Sequence, residues 1–226
     1  MEFNNYIDHT LLAPEATEEQ IERIVKEAMD NNFHTVMINP YWVEKVHLLL
    51  KGSSVKTACV IGFPLGANTT KIKVAEATDA IENGADELDM VMNIGEMKSG
   101  HLDKVEQDIQ AVVDVCHQNK RVIKVIIETC LLTDDEIEAA AKIVAKTGAD
   151  FVKTSTGFST QGATVHAVEI MVQAVKGTST AVKASGGIHT PEDAQAMIDA
   201  GATRLGVSHS CLLYTSDAAD DTPCVD

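Results

Sequence analysis

Positive charge is scarce in this chain of 226 residues: 18 lysines and arginines stand against 34 aspartates and glutamates, a formal net charge of −16. A surface that acidic gives no bulk attraction to nucleic acid or to an anionic membrane, although a local pocket for a small anion is compatible with it. Cysteine occurs five times (Cys59, Cys116, Cys130, Cys211, Cys224), an odd number, with no C-x-x-C or histidine-spaced metal pattern. A disulfide framework is therefore not expected, and a reducing, cytoplasmic compartment is. There is no basic-plus-apolar leader at the N-terminus and no apolar run near the roughly 18 residues of a membrane span. No P-loop, GxGxxG or Ser–His–Asp arrangement is visible. The eight histidines, among them His9, His189 and His209, show no ligand spacing, so no metal is expected.

What is present is an alternation of two kinds of segment. Short Val/Ile-rich runs, "TVMI" (35–38), "ACVI" (58–61), "LDMVM" (88–92) and "VIKVII" (122–127), suit strands buried on both faces. Longer segments have helical period. Ile21, Ile24, Val25 and Ala28 follow "TEEQ", a capping box on Thr17 and Gln20, and Ile137, Ala140, Ala141 and Val144 follow "TDDE". Ala194, Met197 and Ile198 follow Thr190 and Pro191, and Val105, Ile109, Val112 and Val113 mark a further helix. A weak repeat, "NGADELD", "TGADFVK" and "AGATRLG", places a helix-closing glycine two residues before a strand. About eight strands, from near 6–9 to near 204–207, give the grammar of a (β/α)8 TIM barrel over residues 1–210, with an open doubly wound sheet as the alternative.

In a barrel, chemistry sits where strands end and βα loops begin. Two of those ends carry lysine, Lys153 in "VKTSTGF" and Lys183 in "VKASGGI". A lysine there can snorkel to water along an apolar stem, or it can serve as an amine nucleophile, which requires a lowered pKa. Two inward-facing lysines on adjacent strands, about 4.8 Å apart, would each discourage the other's charge. Asp89 reads either as a structural group or, beside two lysines, as a proton-transfer group. Lys124 has the strand parity of Ile126 and Glu128, and either joins that network or caps a layer of side chains. "SGGI" (185–188) and "GVS" (206–208) fall after strands seven and eight, where barrels bind phosphate. A Gly-Gly pair also makes a simple tight turn.

"IDHTLL", "NPYWV", "GFPLG", "ELDMVMNIG", "KVIIET", "VKTSTGF" and "VKASGGI", in this order over residues 5–210, resemble the 2-deoxy-D-ribose-5-phosphate aldolases. The resemblance implies a metal- and cofactor-free class I aldolase that splits 2-deoxy-D-ribose 5-phosphate into D-glyceraldehyde 3-phosphate and acetaldehyde. It implies that Lys153 forms the imine, that Lys183 depresses the Lys153 pKa, and that Asp89 shuttles protons. It places Asp8, Thr10 and Lys124 around the substrate, and Thr156, Gly157, Gly186, Gly187, Gly206 and Ser208 where sugar and phosphate are held. Its partners would be small phosphorylated sugars and aldehydes, in a possible homodimer. Two features depart from the family: Gln161 where glycine is usual, and an acidic stretch at 211–226 where a final helix is usual. That stretch reads as an irregular, foreign-looking tail that would lower stability. Another Schiff-base aldolase, or an inactive phosphate-binding paralogue, is the competing function.

Overall fold

The computed structural model describes residues 3–208 and 210, so the expectation about 211–226 lies outside the described residues. Eight strands form a closed barrel in sequential order: β1 (Ile7–Leu11), β2 (Thr35–Ile38), β3 (Lys56–Ile61), β4 (Glu87–Val91), β5 (Val122–Ile126), β6 (Phe151–Lys153), β7 (Ala181–Ser185) and β8 (Arg204–Val207). Every neighbouring pair is parallel, and β8 closes on β1 with Asp8 opposite Gly206. Helices α1 (Glu18–Asp30), α2 (Val43–Leu49) and α3 (Thr70–Glu82) follow the first three strands. The short α4 (Ile94–Lys98) and long α5 (Leu102–Gln118) follow β4, and α6 (Asp134–Lys146), α7 (Val165–Ala174) and α8 (Pro191–Asp199) follow β5, β6 and β7. The TIM barrel is thus the architecture, and the open sheet is excluded.

Local chemistry explains the elements. The Thr17 and Thr133 hydroxyls and the Gln20 and Glu136 side chains close reciprocal capping boxes on α1 and α6, satisfying amides that would otherwise lack partners. Thr190 and Asp193 do the same for α8, with Pro191 preset in its first turn. The apolar positions read from the sequence, Ile21, Ile24, Val25 and Ala28 in α1 and Ile137, Ala140, Ala141 and Val144 in α6, are all buried. The closing glycines Gly84, Gly148 and Gly201 have φ of +105°, +76° and +105°, a region where a side chain is strained. The strands begin three residues after these glycines rather than two, although bonding to the neighbouring strand already starts at the second: Asp86 N–H donates to the Thr57 carbonyl and Asp150 N–H to the Ile123 carbonyl.

Strand alternation sorts side chains into two compartments. Facing the helices, Val36, Ile38, Cys59, Ile61, Leu88, Met90, Ile123, Val125, Val152, Val182, Ala184 and Leu205 belong to one continuous apolar core. The barrel interior takes the alternate residues. On the β1–β3 side these form a small apolar cluster of Leu12, Met37, Ala58 and Val60. On β4–β8 and at Asp8 they include the charged side chains Asp8, Glu87, Asp89, Lys124, Lys153, Lys183 and Arg204.

Candidate active site

The register supplies the site. Asp89 lies opposite Lys124, Lys153 opposite Lys183, and Lys183 opposite Arg204. All five point into the barrel, where Asp89, Lys124 and Lys183 are fully buried and Lys153 is 3 % exposed. Asp89 is the hub. Its Oδ2 accepts from Lys153 Nζ and from Lys183 Nζ, each at 2.8 Å, and its Oδ1 accepts from Lys124 Nζ at 2.8 Å. Asp8 accepts from Lys183, from Thr35 Oγ1 at 2.8 Å and from an Arg204 nitrogen at 2.7 Å. Lys124 also pairs with Glu87 at 2.7 Å.

The electrostatics follow from counts and distances. Burial by itself would raise the Asp89 carboxyl, but the ammonium groups of Lys124, Lys153 and Lys183 overturn this and hold it well below the carboxylate range. Asp8 is held down in the same way by Lys183, Lys124 and Arg204. Lys124, facing three carboxylates, is raised despite its burial. Lys153 moves the other way. Desolvation, joined by Lys183 and Lys124, brings its amine down to about 8 against the single opposing pull of Asp89. A Lys153 amine held near 8 is partly neutral near physiological pH, which is what nucleophilic attack on a carbonyl requires.

Two adjoining cavities open at the strand ends. One, of about 350 Å³, is lined by Gly157, Gly186, Gly187, Gly206 and Ser208 together with the 159–162 loop and His189. Gly157, Gly186 and Gly187 have φ of +84°, +79° and +73°, so backbone rather than side chain forms that wall. A Cβ on Gly162 would sit 2.1 Å from the Gly186 carbonyl oxygen, which makes the two loops pack only as glycine on glycine. Gln161, the departure from the family pattern, lines this cavity. The second, of about 500 Å³, takes in Thr10, Leu12, Thr156, Gly157, Phe158 and Ser208. Lys153 is on the wall of neither and sits at the strand end that leads into Thr156. The expected residues therefore fall into three adjacent groups: the ionic set Asp8, Asp89, Lys124, Lys153 and Lys183, the glycine cavity, and Thr10 with Thr156 beside it.

Three residues were not anticipated. Arg204 and Glu87 sit among the ionic set. Glu128, buried at the end of β5, adopts left-handed backbone at φ +56°, a strained conformation for a side-chain-bearing residue. There its carboxylate accepts from the Thr156 amide at 3.2 Å and from the Thr156 hydroxyl, while Thr156 Oγ1 accepts from Phe158 N–H at 3.0 Å. With its proton committed to Glu128, that hydroxyl can meet a ligand only as an acceptor. "ET" at the strand end was the available signal, but nothing local gave the glutamate its turn.

The family model of the DeoC/LacD aldolases matches residues 4–209. The deoxyribose-phosphate aldolase of Lactiplantibacillus plantarum is 65 % identical over 210 residues, covering 93 % of this chain and 97 % of that protein. That of Streptococcus gordonii is 56 % identical over 219 residues, covering 97 % and 98 %. The solved structure of the tetrameric deoxyribose phosphate aldolase from Aeropyrum pernix superposes with a TM-score of 0.88 at 35 % identity, covering 94 % of this chain and 90 % of that one.

Proposed function

The chain belongs to the DeoC/LacD aldolase family, and from that premise we infer that it is a deoxyribose-phosphate aldolase, a class I lyase whose imine is carried by Lys153. The observation that supports this most is the Lys153 amine itself, nearly buried between one carboxylate and two further ammonium groups, with its pKa drawn to about 8.

Chemistry follows from the neighbours. The neutral Lys153 amine adds to C1 of the open-chain sugar phosphate. Asp89, hydrogen-bonded to both Lys153 and Lys183, relays the protons that turn the carbinolamine into an iminium and release water. With the iminium as electron sink, the C3 hydroxyl gives up its proton and the C2–C3 bond breaks. D-glyceraldehyde 3-phosphate leaves, and the bonding pair remains as an enamine. Protonation at C2 and hydrolysis release acetaldehyde and regenerate the amine. Lys183, at hydrogen-bond distance from Asp89 and Asp8, helps keep Lys153 unprotonated and shares the proton transfers. Lys124 keeps Asp89 ionised.

Thr10, Thr156, Gly157, Gly186, Gly187, Gly206 and Ser208 are assigned to the sugar and its phosphate, the glycine cavity offering backbone amides to the anion. Sugar phosphate and aldehyde are the partners. Among the described residues no helix is long and apolar enough to cross a membrane. Cytoplasmic residence and a homodimer belong to the same reading, although the Aeropyrum pernix relative is described as a tetramer; light scattering on the purified chain decides the assembly. The functional test is cleavage of 2-deoxyribose 5-phosphate by this chain and by Lys153→Leu. Activity that drops by about four orders of magnitude or more in the variant supports the assignment, and activity that survives overturns it.

A further inference from the structure

The reacting lysine sits on a charged layer that it does not touch. Arg204 is held from four sides: by Asp8 at 2.7 Å, by Glu87 at 3.0 Å, by His34 at 2.8 Å, and by the Phe151 ring 5.3 Å beneath its guanidinium. Glu87 spans from Arg204 and His34 to Lys124. Neither Arg204 nor Glu87 hydrogen-bonds or ion-pairs with Lys153, yet each is connected to it through a chain of ion pairs that ends at Asp89. Arg204 reaches it through Asp8, Lys183 and Asp89, and Glu87 reaches it through Lys124 and Asp89.

Counting charge across this connected set gives four basic groups, Lys124, Lys153, Lys183 and Arg204, against three carboxylates, Asp8, Glu87 and Asp89. The set is balanced only when one base is neutral. β2 and β3 contribute no charge to the interior: they present Thr35, Met37, Ala58 and Val60. The Cys59 thiol of β3, facing the helices, is pushed up by burial and stays neutral. Glu128 lies at the mouth and is occupied by Thr156. His34, half-open at the other end of the barrel, touches only Glu87 and Arg204 in this set.

We propose that Arg204 and Glu87 are positioning residues of opposite sign that fix the charge balance in which Lys153 releases its proton, Arg204 favouring the neutral amine and Glu87 the ammonium. This rests on Lys153 being the reactive amine, but it is stated about an equilibrium that exists without substrate. Replacing Arg204 by a neutral residue leaves three bases facing three carboxylates, so the set balances with Lys153 charged. Replacing Glu87 by glutamine leaves four bases facing two carboxylates, so even a neutral Lys153 leaves excess positive charge.

The experiment is a pH titration of the full chain carrying ¹³Cε-labelled lysine, with the Lys153 resonance assigned by its loss in Lys153→Met. Arg204→Met is expected to move the Lys153 midpoint upward and Glu87→Gln downward, each by about half a pH unit or more. The double variant returns the midpoint towards the unmodified value, and Arg204→Lys, which keeps the charge, leaves it in place. Should Arg204→Met fold poorly, Glu87→Gln and Arg204→Lys still decide the matter. General loosening of the barrel would move every variant the same way, so shifts of one common sign, or no shifts, overturn the proposal. Cleavage assays on the same samples report separately on the aldolase reading: a chain that titrates as described but does not cleave the sugar phosphate refutes that reading and leaves this one standing.

Discussion

The two faces of the same strands make opposite use of burial. Towards the helices, β4 presents Leu88 and Met90, and towards the barrel axis it presents Glu87 and Asp89. β5 divides Ile123 and Val125 from Lys124, and β7 divides Val182 and Ala184 from Lys183. On the outer face each fully buried aliphatic side chain contributes roughly 1.5–3 kcal/mol of stability, and the energy is insensitive to small changes in its neighbours' charge. On the inner face burial is costly for every group, and the compensation comes only from partners: removing one member strands the others. The outer compartment holds the fold together. The inner one converts burial into an altered proton affinity, and that is where chemistry becomes available.

This contrast can be broken most severely at Asp89. Asp89→Asn removes the shared partner of three ammonium groups, and cleavage should fall by about 10³-fold, with kcat affected more than KM; loss of less than tenfold would show that the carboxylate is mainly structural. Next comes pH. Since the folded-state Lys153 amine lies near 8, below the ordinary lysine value of about 10.4, the fraction in the neutral form rises with pH up to that point. kcat/KM should therefore climb about tenfold per pH unit on the acid side and level off above about 8, as a pH–rate profile would record.

Stability should separate the faces in a different way. Leu88→Ala on the outer face should cost about 2–5 kcal/mol by denaturant titration while leaving the pH–rate profile where it was. The inner face should show itself in acid. Glu87 is held at about 2, chiefly by Lys124 with help from His34 and Arg204, against its burial. In the unfolded chain it titrates near 4.3. The unfolded state thus binds the proton first, so the stability this group contributes is present above about 4.3 and is lost as pH falls towards 2. Glu87→Gln should flatten the acid slope, and Leu88→Ala should shift the whole curve without changing that slope. The smallest effect is expected at the mouth. Glu128→Gln keeps the shape but weakens the hold on Thr156, and KM should rise by about tenfold or less with kcat nearly unchanged.

Much of the outer compartment was legible beforehand, because its signals are local. Capping boxes at Thr17 and Thr133 and the spacing of Ile21, Ile24, Val25 and Ala28 are written within a few residues. α3 escaped notice because its inner face is thin, Ala77, Ala80 and Ile81, and includes a lysine. Lys73 is fully buried there, donating to Asp108 at 2.6 Å and to the Val91 carbonyl at 2.9 Å. Lys153, Lys183 and Asp89 were legible because each interrupts an apolar run, Lys153 at the end of its strand and the other two in the middle of theirs. Glu87 and Arg204 open their strands instead, where a charged residue ordinarily marks a boundary with solvent. Only barrel closure, which sets Lys183 opposite Arg204 and Asp8 opposite Gly206, turns them inward. Gly206 shows how tight that closure is: a Cβ there would lie 2.8 Å from the Ser185 Cβ and 3.3 Å from the Lys183 Cε.

The most direct measurement treats the chain with acetaldehyde and borohydride and maps the adduct by peptide mass spectrometry. Three lysines, Lys124, Lys153 and Lys183, lie within hydrogen-bond distance of one aspartate, so the assignment of the nucleophile is a choice among close neighbours. A single reduced ethyl adduct on Lys153 is the expected result. An adduct on Lys183 or Lys124, or none, would contradict the account at its centre.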